Sequence, residues 1–202
     1  PRSLDPYIEM FTPPISYLET AGDSADSHRP LEGLRFAVKD NIDVKNTTTG
    51  TGSPSWRENA PINARNAPVV ATLLEAGGTM IGKTHMDELA YSIAGDNWHY
   101  GDCANPKYPG IAVGGSSSGS AAAVAGGEGV LEFALGTDTC GSVRVPSAYG
   151  GIYGLRPTHD VVNTTGLIPL AQSFDTIGWF ARDPHTLQRV GDVLLPGKAV
   201  TD

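Results

Sequence analysis

Two glycine-flanked segments decide the fold of this chain: Gly114-Gly115-Ser116-Ser117-Ser118-Gly119-Ser120 and Gly136-Thr137-Asp138-Thr139-Cys140-Gly141-Ser142-Val143-Arg144. Glycine lets the backbone take positive φ angles or approach a ligand closely, so each segment predicts a tight turn with free N–H groups. Between the turns, the small residues 121–125 predict a helix and the mostly apolar residues 130–135 predict a strand. Because such turns can bind an anion and both carry hydroxyl side chains, we expect the chemistry of the protein here.

Composition places the chain among acidic globular proteins. It has 202 residues, 40% of them hydrophobic, which is enough for a sizeable core in one domain. The formal net charge of -8, without a run of Lys or Arg, argues against a nucleic acid as a direct partner. The two cysteines, Cys103 and Cys140, lack metal-ligand spacing, so we expect no metal site and a reducing compartment.

No targeting or membrane segment is predicted. No apolar run approaches the ~18 residues of a membrane span, and the first residues lack the charged-then-apolar order of a signal peptide. We therefore expect a cytoplasmic protein without a membrane partner.

Strand and helix patterns alternate along the chain after an N-terminal arm. The proline-rich, acidic residues 1–29 predict the arm, and residues 30–202 predict one domain. An alternating apolar pattern predicts a strand that ends at Lys39. Later patterns predict, in order, a helix from Pro68, a strand over 79–81, a helix from a Thr84–Asp87 capping box and a last helix around 187–194. This order favours an α/β sheet.

A serine hydroxyl in the turns needs a base to act as a nucleophile. None of the five histidines lies in a glycine turn, and Gly-x-Ser-x-Gly does not surround Ser142, so a Ser-His-Asp triad is not expected. His85 is interpreted as a helix-capping or surface residue. Lys39 lies at a strand end, where ligands of α/β sheets commonly bind, and a buried lysine with a lowered pKa can act as a base. The alternative is a solvated lysine paired with Asp40 or Asp43.

Five blocks of the sequence resemble the amidase signature family: residues 34–44, 82–88, 114–123, 136–146 and 154–158. The resemblance covers about residues 30–195, and its central block is long and specific. The tail over 173–195 is most similar to plant members that act on indole-3-acetamide. The resemblance implies a mixed β-sheet covered by helices. It also implies a hydrolase of carboxylic acid amides, with a small-molecule amide as substrate and no cofactor.

The resemblance also implies a role for each matched position. Ser142 matches the nucleophile that forms an acyl-enzyme, Lys39 matches the base, and Ser116 matches the bridging serine, which follows a cis peptide bond. In this Ser-Ser-Lys triad, neutral lysine takes a proton from the bridging serine while that serine takes one from the nucleophile. The implied oxyanion hole consists of the backbone N–H groups of Thr139, Cys140, Gly141 and Ser142. Asp138 and Arg144 bracket this turn, and either an ion pair that fixes its shape or a plain surface pairing fits the residues.

Three features depart from the family pattern. Cys140 stands where glycine is usual, so its side chain is expected to crowd the turn or to face inward beside the nucleophile. The segment between Ser116 and Ser142 is slightly longer than is usual in the family, so alignment from the left-hand glycines selects Ser116 as the bridging serine, whereas counting back from Ser142 selects Ser118. Family members continue well beyond Asp202, so we expect the C-terminal part of the fold to be absent from this chain. The expected partner is a second chain, or a second copy, that completes the fold.

Two other functions stay open. Some relatives use the fold as an organelle-surface receptor domain that has lost its catalytic residues, and the presence of Lys39, Ser116 and Ser142 argues against that function. Others are the amide-hydrolysing subunits of tRNA-dependent amidotransferases. Such a subunit would imply a glutamine substrate, an ammonia channel and partner subunits.

Overall fold

The computed structural model describes residues 5–16, 29–126, 131–195 and 197. Its strands are β1 (Tyr7–Ile15), β2 (Arg35–Lys39), β3 (Thr79–Thr84), β4 (Phe133–Thr137), β5 (Tyr153–Leu155) and β6 (Ile177–Ala181). Its helices are α1 (Pro54–Asn59), α2 (Pro68–Glu75), α3 (Ser118–Ala125), α4 (Arg144–Gly150) and α5 (Pro184–Leu194). The strands form one mixed sheet in the order β1-β3-β2-β4-β6-β5. The sheet is covered by helices on both faces, which confirms the predicted fold class.

Strand direction brings the functional segments to one edge of the sheet. Strands β3, β2 and β4 are mutually parallel, so their carboxyl ends, at Thr84, Lys39 and Thr137, lie side by side. Strand β6 runs antiparallel to β4 and therefore begins at the same edge, directly after Asp175 and Thr176. The first glycine-rich turn leads into α3, and the second follows β4. Both turns therefore lie at the edge of the sheet that holds Lys39.

The two faces of the sheet have different cores. One face packs α2 and α5 on large side chains, among them Phe36 and Phe133, whose rings stack at a centroid distance of 5.1 Å. The other face packs α3, which consists of small residues, on Ala37 and Ala134. In α3, a Cβ at Gly119 would overlap the backbone of Pro6 and His85, so glycine is required for this close approach. The result is that the start of α3 lies directly against the strand ends.

Three predicted helices lie where the sequence placed them. Helix α2 begins with Pro68, and the small residues 121–125 belong to α3. Asp183 caps α5 by accepting the backbone N–H and the hydroxyl of Thr186, at 2.9 and 2.8 Å. None of the helices in the described ranges is long and apolar enough to span a membrane.

One local prediction is wrong, and one strand was missed. The helix predicted from the Thr84–Asp87 capping box does not form, because β3 extends to Thr84 and only a 3-10 turn, Glu88–Ala90, follows. Strand β1 was not predicted, although its residues lie in the predicted arm. It pairs antiparallel with β3 at the edge of the sheet, where proline is tolerated. The rest of the arm, residues 1–4 and 17–28, and Val130 of the predicted strand lie outside the described residues.

Candidate active site

Lys39 is a fully buried amine at the carboxyl end of β2. Its Nζ lies 2.8 Å from Ser116 Oγ and 2.8 Å from Thr137 Oγ1. Burial lowers the pKa of Lys39 to about 7, although the carboxylates of Asp87, Asp138 and Asp175 act in the opposite direction. A large share of the amine is therefore uncharged at neutral pH, and the alternative of a solvated lysine is wrong.

Ser116 occupies the first turn in an unusual backbone conformation. The Gly115–Ser116 peptide bond is cis, as the resemblance implies. The carbonyl of Ser116 accepts the backbone N–H of Asp87 at 3.2 Å, and its hydroxyl is fully buried against Lys39. The turn thus presents the hydroxyl of Ser116 directly to the amine.

The other serines of this turn have different partners. Ser117 Oγ donates to the carbonyl of Thr137 at 3.1 Å, and Ser120 Oγ donates to the carbonyl of Leu135 at 2.8 Å. Ser118 Oγ lies 2.9 Å from Nδ1 of His85. Within the described chain, Ser116 is thus the serine of this turn that contacts Lys39, and Ser118 is not.

The interpretation of His85 as a capping or surface residue is wrong. Its ring is almost fully buried, and Nε2 lies 2.9 Å from the carbonyl oxygen of Gly101. Nε2 must therefore carry a proton to donate, and Nδ1 is free to accept the hydroxyl proton of Ser118. Burial lowers the pKa of His85, which favours this neutral form.

Ser142 lies on the second turn, adjacent to the first. The backbone N–H of Ser117 donates to the carbonyl of Ser142 at 3.3 Å, which joins the two turns. Ser142 is 4% exposed and lines a cavity of about 250 Å³. Tyr91, Ile93 and Leu170 supply apolar walls. The side chain of Cys140 is exposed on the wall of the same cavity, so it does not fill the turn.

The backbone N–H groups of the second turn are available for a ligand. In the described part of the chain, the backbone N–H groups of Thr139, Cys140, Gly141 and Ser142 donate no hydrogen bond. Gly141 has a φ of 143°, a conformation that favours glycine. A run of free N–H groups beside a serine hydroxyl suits a negatively charged oxygen.

Asp138 fixes the shape of this turn. Its carboxylate accepts Nε of Arg144 at 3.1 Å, Nη2 of Arg144 at 2.9 Å and the backbone N–H of Val143 at 3.1 Å. Burial acts to raise the pKa of Asp138, but the hydrogen bonds from Arg144 and from the backbone outweigh burial and lower it. The ion pair considered from the sequence is present. The sequence did not predict that Arg156 would also approach Asp138, at 3.4 Å.

Asp138→Ala is expected to lower the free energy of unfolding by about 3 kcal/mol, because the turn loses a buried carboxylate that accepts the buried N–H of Val143 and the donors of Arg144. The measurement is chemical denaturation followed by tryptophan fluorescence. The control is Asp96→Ala, which removes an exposed carboxylate and is expected to change stability by about 0.5 kcal/mol or less. Equal losses in the two variants would contradict this role of Asp138.

Several residues of the site were missed by the sequence analysis. Thr137 and Asn41 surround the lysine: Thr137 Oγ1 contacts Nζ, and Asn41 Nδ2 donates to the same oxygen at 3.1 Å. Thr137 ends a strand parallel to the one that Lys39 ends, and this signal could have found it. Asp175 accepts the hydroxyl of Thr139 at 2.5 Å across 36 residues, a contact that no sequence pattern indicates.

A larger cavity of about 760 Å³ lies apart from these residues. Trp56, Leu89 and Ile168 are among its lining residues, and neither Lys39 nor Ser142 lines it. Its size alone therefore does not make it the site of chemistry.

The chain is similar to known proteins over most of its length. A family model described as Amidase matches residues 13–196. Amidase 1 of Oryza sativa subsp. japonica is 57% identical over 168 residues, which are 83% of this chain and 38% of the relative. The crystal structure of native peptide amidase from Stenotrophomonas maltophilia superposes with a TM-score of 0.76 at 34% identity, covering 87% of this chain and 38% of that one. The chain thus spans about two fifths of the length of these proteins.

A further relative corrects the predicted localisation. Outer envelope protein 64, chloroplastic, of Arabidopsis thaliana is 48% identical over 166 residues, which are 82% of this chain and 28% of that protein. The prediction of a cytoplasmic protein is therefore wrong, because a relative this similar is named for an organelle envelope. Composition and hydropathy do not report the compartment of such a chain. The family model and these relatives establish that this chain belongs to the amidase family, the family that its sequence blocks resemble.

Proposed function

We propose that this chain carries the catalytic core of a hydrolase that acts on carboxylic acid amides, with Lys39, Ser116 and Ser142 as its catalytic residues. The observation that carries the proposal is the 2.8 Å contact between the fully buried amine of Lys39 and the hydroxyl of Ser116. Burying a lysine amine that has no carboxylate in hydrogen-bond contact costs free energy. A role in proton transfer explains why the amine is buried here.

The proposed reaction begins with a proton relay. Neutral Lys39 takes the proton of Ser116 as Ser116 takes the proton of Ser142, and Ser142 Oγ forms a bond to the amide carbonyl carbon. The carbonyl oxygen becomes an oxyanion held by the N–H groups of residues 139–142. Losing one such donor typically costs about 10²–10³-fold in rate. When the carbon–nitrogen bond breaks, the leaving ammonia or amine takes the proton back through the relay.

Water completes the proposed cycle. The bond that remains is an ester between the acyl group and Ser142 Oγ, so a water molecule must attack its carbonyl carbon. The relay accepts the proton of that water and returns a proton to Ser142 Oγ as the acid leaves. Asp138 contributes by holding the turn, since its contacts with Arg144 and Val143 set the direction of the N–H groups.

The substrate we propose is a small amide with an apolar acyl group. The apolar walls of the 250 Å³ cavity next to Ser142 suit such a group, and the relatives named for amidase activity support the reaction class. Aryl and indolyl acetamides are the first compounds to test. The predicted second chain or second copy remains a prediction, and light scattering of the purified protein measures it.

The test is a fluorophosphonate probe, which reacts with activated serines without needing the correct acyl group. The labelled protein is digested and the modified residue is identified by mass spectrometry, and ammonia release is then measured with aryl acetamides and with glutamine. We expect the label on Ser142. Absence of label on protein with a cooperative melting transition would overturn the proposal. It would favour instead a non-catalytic binding domain, the second candidate.

The rate of labelling is expected to rise with pH and to reach half its maximum near pH 7. Lys39 acts as a base only when uncharged, and its pKa is lowered to about 7 by burial, so acid protonates it and stops the relay. The measurement is the labelling rate at saturating probe across the pH range, corrected for hydrolysis of the probe itself. A rate that stays constant between about pH 6 and pH 8 would contradict a base with this pKa.

A further inference from the structure

Asp87 is a buried carboxylate that the proposed triad does not include. It is fully buried between the end of β3 and the 3-10 turn at Glu88–Ala90. Its Oδ2 accepts the backbone N–H of Gly95 at 3.0 Å. Its Oδ1 has no hydrogen-bond donor among the described residues. A buried carboxylate oxygen without a donor is costly, so its position calls for an explanation.

Asp87 packs directly on the turn that carries Ser116. Its backbone N–H donates to the carbonyl of Ser116 at 3.2 Å. Its carboxylate lies against Gly115, where an added Cβ would overlap both oxygens, so the glycine leaves the space that the carboxylate fills. Through Gly95, the same carboxylate ties the loop over 92–95 to this turn. Asp87 is therefore in direct contact with the turn that presents the hydroxyl of Ser116.

Three carboxylates act to raise the pKa of Lys39, and Asp87 has the largest effect, before Asp138 and Asp175. The other two have partners of their own: Asp138 pairs with Arg144, and Asp175 accepts several hydrogen bonds. The remaining charged groups at these strand ends, Asp40 and Lys83, pair with each other at 3.0 Å. In the described residues, Asp87 forms no ion pair within 4 Å. Burial raises the pKa of Asp87, while the hydrogen bond from Gly95 and the charge of Lys39 act to lower it, so the carboxylate and the amine favour each other's charged form.

We infer that Asp87 is a positioning residue of the proposed reaction: its carboxylate supports the Gly115–Ser116 turn and stabilises the ammonium that Lys39 becomes when it takes up a proton. This role rests on the proposed function, because the proposed relay is what makes the protonation of Lys39 a step of the reaction. No substrate atom touches Asp87 in this scheme. It acts through Ser116 and Lys39.

Asp87→Asn tests the inference, because asparagine keeps the shape and the acceptor for Gly95 but removes the charge. Without the carboxylate the ammonium of Lys39 is less favoured, so its pKa falls and the uncharged amine persists to lower pH. We expect the acid limb of the labelling profile to move to lower pH by about one unit, the low end of the effect of a nearby opposite charge. We also expect the plateau rate at high pH to fall by roughly threefold, because the amine has become a weaker base and the rate follows base strength with a slope below one.

The matched control is Glu88→Gln, which removes an exposed charge from the adjacent residue and should leave the profile unchanged. Asp87→Ser serves as a second charge-free variant if the asparagine protein does not melt cooperatively. A lower rate with the wild-type midpoint would overturn the inference, since it would show support for the turn without an effect on the amine. Failure to label wild-type Ser142 would instead overturn the proposed function.

Discussion

Ser142→Ala is expected to abolish fluorophosphonate labelling and to lower amide hydrolysis by about 10⁴–10⁶-fold, because the oxygen that forms the acyl-enzyme is gone. The residual rate comes from binding and from the N–H groups of residues 139–142, which the substitution leaves in place. Stability should change little, since the removed atom is one hydroxyl at the wall of a cavity. Ammonia release, with the melting temperature, measures both expectations.

Ser92→Ala is the control for this substitution. Ser92 lines the same cavity but donates to Asp96 at 2.7 Å and has no contact with Lys39. Its loss should leave labelling within a few-fold of wild type. Labelling that survives in Ser142→Ala and disappears in Ser92→Ala would show that Ser92, not Ser142, is the nucleophile, and would refute the mechanism.

Lys39→Met is expected to lower labelling and hydrolysis by about 10³-fold while changing the melting temperature little. The rate falls because no base remains to take the proton of Ser116. Stability is nearly kept because methionine fills a similar volume and removes the cost of burying an amine, which offsets the lost hydrogen bonds of Ser116 and Thr137. The measurement is labelling at high pH together with a thermal melt.

For Lys83→Met we expect the opposite result, a lower stability with an unchanged labelling rate. Lys83 is also fully buried, but it pairs with Asp40 at 3.0 Å and lies away from Ser116. Its removal leaves the buried Asp40 with a 3.4 Å contact to the partly exposed Arg57 as its ion pair, so we expect a clear fall in stability. The folded fraction should keep its labelling rate. If both lysine variants lose activity equally, the distinction between a base and a structural ion pair is refuted.

The sequence predicted the parts of this site that have a local pattern. The alternating apolar residues predicted a strand that ends at Lys39. The glycine pattern predicted that Ser116 and Ser142 lie in tight turns. Parallel pairing of β2 and β4, which these patterns favoured, then brings the segments together. The resemblance added the roles, and its cis peptide bond is present in the structure.

What the sequence did not predict depends on contacts between distant segments. The sequence predicts a capping or surface role for His85 because a lone histidine at a predicted helix start carries no sign of burial. In the structure, α3 and the segment around Gly101 cover its ring. Thr84 and Asp87 matched a capping box, yet pairing of β3 with β2 extends the strand past the point where the helix would begin. Tertiary hydrogen bonds outweighed local preference in both cases.

The row of hydroxyls at the start of α3 sets a limit on how this chain can vary. Ser116, Ser117, Ser118 and Ser120 each reach a different group, in the order Lys39, Thr137, His85 and Leu135. Adding or deleting one residue in this row would turn the helix by about 100° and exchange all of these partners at once. Any change of length in this row would therefore separate the amine from its hydroxyl in a single step.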